Sequence, residues 1–209
     1  MSSIPKTIIQ TSRNGIPDYV VDMIRELSPG WEYRHFTDSQ IIDFFRENPL
    51  EEFPDISAKF YSLSYGEHRA DLFRYYYLYV NGGVYIDSDA MIEIPMDDIV
   101  KDYDFFTVKS SYFPGCIFQG FIGTMPRNPI LYMSLRDIYF TNNKDLIENF
   151  HLSCTNMSSF IEQFKLKSKI ILFEETKGDD PFHANIVDGD TVILKHWSEK
   201  KIIPPRKLL

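Results

Sequence analysis

HRADLFRYYYLYVNGGVYIDSDA, residues 68–90, decides how the chain is read. Its first half has helical spacing, with Leu72, Phe73, Tyr76, Leu78 and Val80 supplying apolar surface and Arg69, Asp71 and Arg74 set among them. The helix is expected from about Ser64 to Val80. Asn81-Gly82-Gly83 ends it, because glycine tolerates the left-handed conformation of a helix C-terminus. Val84–Asp87 then reads as a short apolar strand, with Val84 and Ile86 on one face and Tyr85 and Asp87 on the other. Asp87 and Asp89, one residue apart at a strand end, can converge on one cation. Carboxylate oxygens suit Mg²⁺ or Mn²⁺, which keep positions for phosphate oxygens and neutralise a diphosphate leaving group. Asp71 and Arg74 lie three apart, on one helix face. They read either as a surface ion pair worth at most about 0.5 kcal/mol or as a pair that meets sugar hydroxyls and phosphate oxygens. An Asp-x-Asp alone is a weak signal and reads more readily as a solvated turn; the helix, the Gly-Gly and the buried strand before it favour the functional reading. Asp97-Asp98 and Asp179-Asp180 are read as ordinary loop acids.

Outward from this block, Thr7–Gln10 reads as a first strand and Asp18–Leu27 as a helix ended by Ser28-Pro29-Gly30. Trp31–Phe36 alternates like a strand, and Asp38 is placed to cap the helix SQIIDFFREN, which stops before Pro49. Residues 49–58 read as a loop. Further strands are expected at Met91–Ile94, Asp104–Val108, Cys116–Gly123, Lys169–Phe173 and Thr191–Leu194. Helices are expected at Pro129–Phe140, Lys144–Phe150 and Met157–Phe164. Strands and helices alternate through the first half, which favours a layered α/β domain with a largely parallel sheet. Ligands of such sheets collect at the C-terminal strand edge, where Asp87 and Asp89 fall.

The chain has 209 residues, a length that suits one domain, and 44% of them are hydrophobic, enough for a sizeable core. Its formal charge of −8 disfavours nucleic acid as a partner. The C-terminus, KKIIPPRKLL, reverses that charge locally and reads as a solvated tail or as a contact with a membrane surface. Cys116 and Cys154 sit in apolar settings and read as buried free thiols. MSSIPKTIIQ carries no signal-peptide core, and no run is long enough to span a bilayer, so the expected location is cytoplasmic, with peripheral membrane contact through the tail.

A-D-L-F-R followed by N-G-G-V-Y-I-D-S-D resembles the hallmark block of the DXD-containing sugar-binding glycosyltransferases, glycosyltransferase family 32. The glucosyltransferase domains of the large clostridial toxins carry a similar block. The resemblance implies that Asp71 and Arg74 contact the donor sugar and that Tyr85 packs at the donor site. It also implies that Asp89 binds metal and that Asp87 meets ribose, sugar or metal; Arg69 and Ser88 are counted with the donor contacts. Ile4–Gln10 resembles the family's opening I-P-K-I-I-H-Q strand beside the nucleotide base, with Ile9 in place of the usual His, so Ile8 and Gln10 are assigned to the base side. Gly30-Trp31-Glu32-Tyr33 resembles the segment before the second strand. Gly120-Phe121-Ile122-Gly123 and Asn128-Pro129 resemble a later stretch in which an Asn stands at Gln119 or Gly120. Near the end, Lys195-His196-Trp197-Ser198 is the one candidate for a closing segment. It offers His196 as a third metal ligand and Lys195 or Trp197 to the phosphates.

The resemblance implies a GT-A fold: a single Rossmann-like α/β domain with a mixed central sheet over residues 1–209. Residues 4–110 form the nucleotide-sugar half, and 111–209 form the acceptor half and tail. It implies a hexosyltransferase using Mn²⁺ or Mg²⁺, with UDP-glucose or another UDP-hexose favoured over GDP-mannose, a glycan, glycoprotein or other hydroxyl acceptor, and retention of configuration. A catalytically idle sugar-nucleotide-binding module on the same fold is the competing reading. Nucleotidyl transfer ranks behind both, because SRNGIP makes a poor phosphate-cradling loop.

Overall fold

The computed structural model describes residues 4–165, 168–179, 181–197 and 203–204. The first half runs β1 (Thr7–Thr11), α1 (Asp18–Glu26), β2 (Glu32–Phe36), α2 (Asp38–Glu47), α3 (Ile56–Ser62) and α4 (Gly66–Asn81). It continues through β3 (Gly83–Ile86), β4 (Ala90–Ile92), α5 (Met96–Val100) and β5 (Phe105–Lys109). Then follow β6 (Ile117–Thr124), α6 (Pro129–Phe140), α7 (Asn143–Glu148), α8 (Leu152–Phe164), β7 (Ile170–Lys177), β8 (Ala184–Asp188) and β9 (Thr191–His196). Among the described residues no helix is long and apolar enough to cross a membrane. The basic tail, for which membrane contact was expected, lies outside the described residues apart from Ile203 and Pro204, as does Asp180.

Among the described residues the nine strands form one sheet in the order β2-β1-β3-β6-β5-β7-β8-β9-β4. It is mixed rather than largely parallel: β1 pairs in parallel with β2 and β3, and β5 with β7, while the other neighbours are antiparallel. Helical crossovers, which parallel pairing needs, dominate only the first half; β8 and β9 follow their neighbours through short turns. Sheet period separates two cores. Ile9, Tyr85, Phe105 and Ile122 face the helices α2, α3, α4, α6 and α8, whereas their neighbours Ile8, Val84, Ile86, Phe106 and Phe121 face α1 and α5.

Three short features escaped the sequence reading, and a longer helix begins earlier than expected. Helix α3 begins inside the expected loop and rests on only two buried anchors, Ile56 and Phe60. Helix α5 takes in Asp97-Asp98, with Met96, Ile99 and Val100 buried at helical spacing. Strand β8 was not expected, and α8 starts at Leu152, ahead of Met157. Each is stabilised by neighbours more than by its own pattern. Helix α2 is capped by Thr37, whose backbone N–H donates to Gln40 Oε1 (2.9 Å), so Asp38 is its first helical residue.

The sheet must curl. Six strand spacings separate β3 from β4, about 29 Å in a flat sheet. Only Asp87-Ser88-Asp89 joins them, and four Cα steps reach at most about 14 Å. The far edge therefore folds back over the C-terminal end of β3, and the acidic turn is the seam.

Candidate functional site

Helix α4 and strand β3 position the acids. Nine residues of α4 between His68 and Leu78 are buried, including Asp71 and Arg74, so this is an interior helix with polar groups inside it. Gly82 (φ 67°) stops it, with its N–H donating to Leu78 O (2.9 Å). Gly83 (φ 104°) lets β3 close on β1: a Cβ there would stand 2.7 Å from Thr7 O. Two residues later Tyr85 enters the site, and after Ile86 the chain turns.

The turn is held by three backbone hydrogen bonds and one side-chain amide. Asp87 N–H donates to Gly120 O (2.8 Å), Ala90 N–H to Asp87 O (3.0 Å) and Trp197 N–H to Asp89 O (2.8 Å). Gln10 Nε2 donates to the same Asp87 carbonyl (3.0 Å), while Gln10 Oε1 accepts from Tyr33 O–H (2.8 Å). Asp87 Oδ1 accepts from Tyr85 O–H (2.9 Å) and lies 3.2 Å from Arg74 Nη2. The other oxygen, Oδ2, faces Gly120, where any Cβ would collide with it and with the Phe118 ring. Glycine at 120, where the resemblance expected an Asn, therefore leaves room for this carboxylate.

Arg74 is the hub. Its guanidinium lies 3.5 Å from Asp71 Oδ1, donates to Gln119 O (2.5 Å) and covers the Tyr85 ring with its carbon 4.1 Å from the centroid. Tyr75 O–H donates to Gln119 Oε1. Arg74 Nε and Gln119 Nε2 are buried without a hydrogen-bond partner, a cost the fold carries at this point. Burial alone would favour losing the Arg74 proton, but Tyr85, Asp87 and Asp71 outweigh it and hold the charge firmly. Burial pushes the Asp71 carboxyl up to about 6, against the pull of Arg74 and His68. Asp71 is largely buried at the cleft wall, and the nearby negative charge of Asp87 and Glu67 raises it further. Burial also pushes the Tyr85 hydroxyl up, so it stays a donor.

These groups line a cleft of about 950 Å³. Asp71, Arg74, Tyr85, Asp87, Ser88, Asp89 and Arg69 all line it, together with the loop that follows β1. Arg69 donates through Nε to Leu63 O (3.0 Å) and lies 3.8 Å from Asp38. Other expected contacts are not brought in. Ile8 is fully buried in the core beneath the sheet, and Gln10, also fully buried, props the acidic turn instead of reaching a base. Lys195 pairs with Glu93 (3.6 Å) and does not line the cleft; Trp197 meets Asp89 through its backbone.

His196 does line the cleft, but its Nε2 lies 2.9 Å from Glu175 Oε1 and its ring stacks on Phe118 at 4.4 Å. Among the described residues no three His, Cys, Asp or Glu side chains converge on a metal position, so the expected Asp87–Asp89–His196 set is not assembled. Glu175 is the residue the sequence reading missed. It is buried and also accepts from Ser110 O–H (2.8 Å) and Ser111 N–H (2.9 Å). Burial raises its pKa, but the hydrogen bonds from His196, Ser110 and Ser111 outweigh that and leave it lowered. The signal was available: Glu174 and Glu175 are adjacent in a strand, so one of them must point inward. Cys116 and Cys154 are free and half-buried, and both line the cleft rather than hiding in the core.

The donor set suits a hard cation. Asp87 and Asp89 offer only oxygens, and both residues are part-exposed.

Residues 17–106 match the family described as "Glycosyltransferase sugar-binding region containing DXD motif". This stretch is similar to the DXD-type sugar-binding regions. The chain is 29% identical over 151 residues to inositol phosphoceramide mannosyltransferase 1 of Schizosaccharomyces pombe, covering 69% of this chain and 46% of that protein. It is 31% identical over 139 residues to mannosyl phosphorylinositol ceramide synthase SUR1 of Saccharomyces cerevisiae, covering 65% and 35%. The chain thus spans less than half the length of these curated relatives. In three dimensions it matches the PaToxG glycosyltransferase with a TM-score of 0.57 at 13% identity, over 78% of this chain and 69% of that one. The fold around the sugar-binding region is GT-A-like, as expected from the sequence.

Proposed function

We propose that the protein is a metal-dependent hexosyltransferase that moves a sugar from a nucleoside-diphosphate hexose to an acceptor hydroxyl, with retention. One observation carries this reading: the Asp71–Arg74–Asp87 cluster and Asp89 stand together on the wall of one large cleft, at the C-terminal end of β3. Asp87 and Asp89 would hold Mn²⁺ or Mg²⁺, which would supply positive charge against the diphosphate. Asp71 and Asp87 accept hydrogen bonds from the donor's hydroxyls. Arg74, pinned between them, keeps both carboxylates in place. Tyr85 O–H holds Asp87 Oδ1 and fixes the carboxylate's orientation. In the transfer the bond from the sugar's C1 to the diphosphate oxygen breaks, and a bond from the acceptor oxygen to C1 forms. The acceptor proton passes to the departing phosphate, and free nucleoside diphosphate is the second product.

The relatives' names bring mannose forward, and the toxin-like donor block brings glucose. Both GDP-mannose and UDP-glucose therefore belong in the test. A screen of UDP- and GDP-sugars is expected to release free nucleoside diphosphate with one of them when Mn²⁺ is present and not in excess chelator. Asp89→Asn is expected to lower that rate at least about a hundredfold, as loss of a key electrostatic group does. Binding of a donor without any release would favour the idle module, and full activity of the variant would remove Asp89 from the site.

A further inference from the structure

Part of the cleft wall is built from rings that the donor chemistry does not use. His68, three residues before Asp71 on α4, is buried and contacts Tyr65 (5.5 Å) and Phe150 (4.9 Å). Its Nε2 lies 3.0 Å from Phe150 O, which ties the loop before α8 to α4. Phe150 contacts His151 edge-on (5.2 Å), and His151 meets Phe113 at 4.0 Å with the two rings tilted by 35°. The result is a continuous ladder of rings from the donor helix to the loop between β5 and β6. It ends in the open: Phe113 is 48% and Phe150 39% exposed, and Tyr112 beside them is 50% exposed. His68, Phe150, His151, Phe113 and Tyr112 line the same cleft as the acidic turn.

Large apolar rings left in water are costly, and a contiguous set of them marks a binding surface. Their type narrows the ligand. Among the described residues, the one aliphatic side chain that is both large and exposed is Ile147, and it does not line the cleft. A slot for an acyl chain would be lined by aliphatic groups. Flat ring faces with polar edges instead suit the C–H face of a pyranose, as stacked rings suit one another. We infer that this ladder is the acceptor subsite and that it takes the pyranose ring of a glycan. As an acceptor subsite it rests on the transfer reading; as a pyranose site it stands on the ring geometry.

Saturation-transfer NMR on the whole chain tests this with methyl α-mannopyranoside, methyl β-glucopyranoside and, as the chain-like competitor, decyl phosphocholine below its micelle concentration. Ring C–H protons of a pyranoside are expected to receive saturation. Affinity should fall about three- to tenfold in Phe113→Ala and in Phe150→Ala, the worth of one stacked ring. Phe140→Ala, a more exposed ring outside this cleft, should leave it unchanged. Melting curves report whether each variant is folded. Protection of Cys116, which lines the cleft, from alkylation by the pyranoside gives a second readout on the unaltered protein. Saturation of the decyl methylenes alone, no saturation of any ring, or binding that survives both wall substitutions would overturn the inference. Failure of nucleoside diphosphate and Mn²⁺ to bind, with pyranoside binding intact, would instead defeat the transfer reading and leave the wall a pyranose site.

Discussion

Burial pushes the Asp71 carboxyl up to about 6, and Arg74 and His68 offset only part of that. An acid raised in the folded state favours folding below its unfolded value, and that contribution is lost as pH rises through the folded one. At neutral pH the ionised Asp71 therefore costs on the order of 3 kcal/mol. In excess chelator, Asp71→Asn is expected to melt higher than the parent near about pH 8, and the gap should close toward about pH 4. A gap that does not change with pH would mean that Arg74 compensates the charge fully. At this scale the sequence was informative about identity and weaker about role. Asp71, Arg74, Tyr85, Asp87 and Asp89 were legible because a helix, two glycines and a strand fix their spacing. Gln10 and His196 were legible as polar residues of interest, but their partners, Asp87 O and Glu175, are 77 and 21 residues away. No local pattern encodes such partners.

Among the elements, the turn from α4 into β3 has the least freedom. Gly83 combines φ 104° with a backbone carbonyl 2.7 Å from where a Cβ would sit. Gly83→Ala is expected to cost about 2–4 kcal/mol, from the strained φ and the clash with a strand that cannot yield. Gly15→Ala, at φ 85° with open space around it, should cost only about 1–2 kcal/mol. Thermal melts of the two variants side by side check this, and equal losses would mean that the approach of β3 to β1 is not tight. Long elements such as α2, α4 and α6 were legible, α4 by its run of apolar residues ended by two glycines rather than by an amphipathic period. The short α3, α5 and β8 were not, because two or three buried anchors on five to seven residues leave no period to detect.

For the whole molecule, the curl of the sheet makes the site. It brings β9 and β4 to the end of β3, so Trp197 N–H can close the acidic turn and Glu175 and His196 can join the cleft. The proposed ligands would bridge this seam. A nucleoside diphosphate at about a hundred times its Kd should then stabilise the protein by about 2.7 kcal/mol when Mn²⁺ is present. In excess chelator it should add little; an equal rise in melting temperature there would count against a bridging cation. By itself the sequence determined the layered α/β class, the helix-Gly-Gly-strand unit and the acids it carries, because these follow from periodicity and backbone permissions within about twenty residues. Only the tertiary structure decided the strand order, the mixed pairing, the burial of Ile8 and Gln10, the Glu175–His196 contact and the aromatic wall. Each depends on segments far apart in the chain meeting across a curled sheet, and such meetings are chosen by packing of the whole chain.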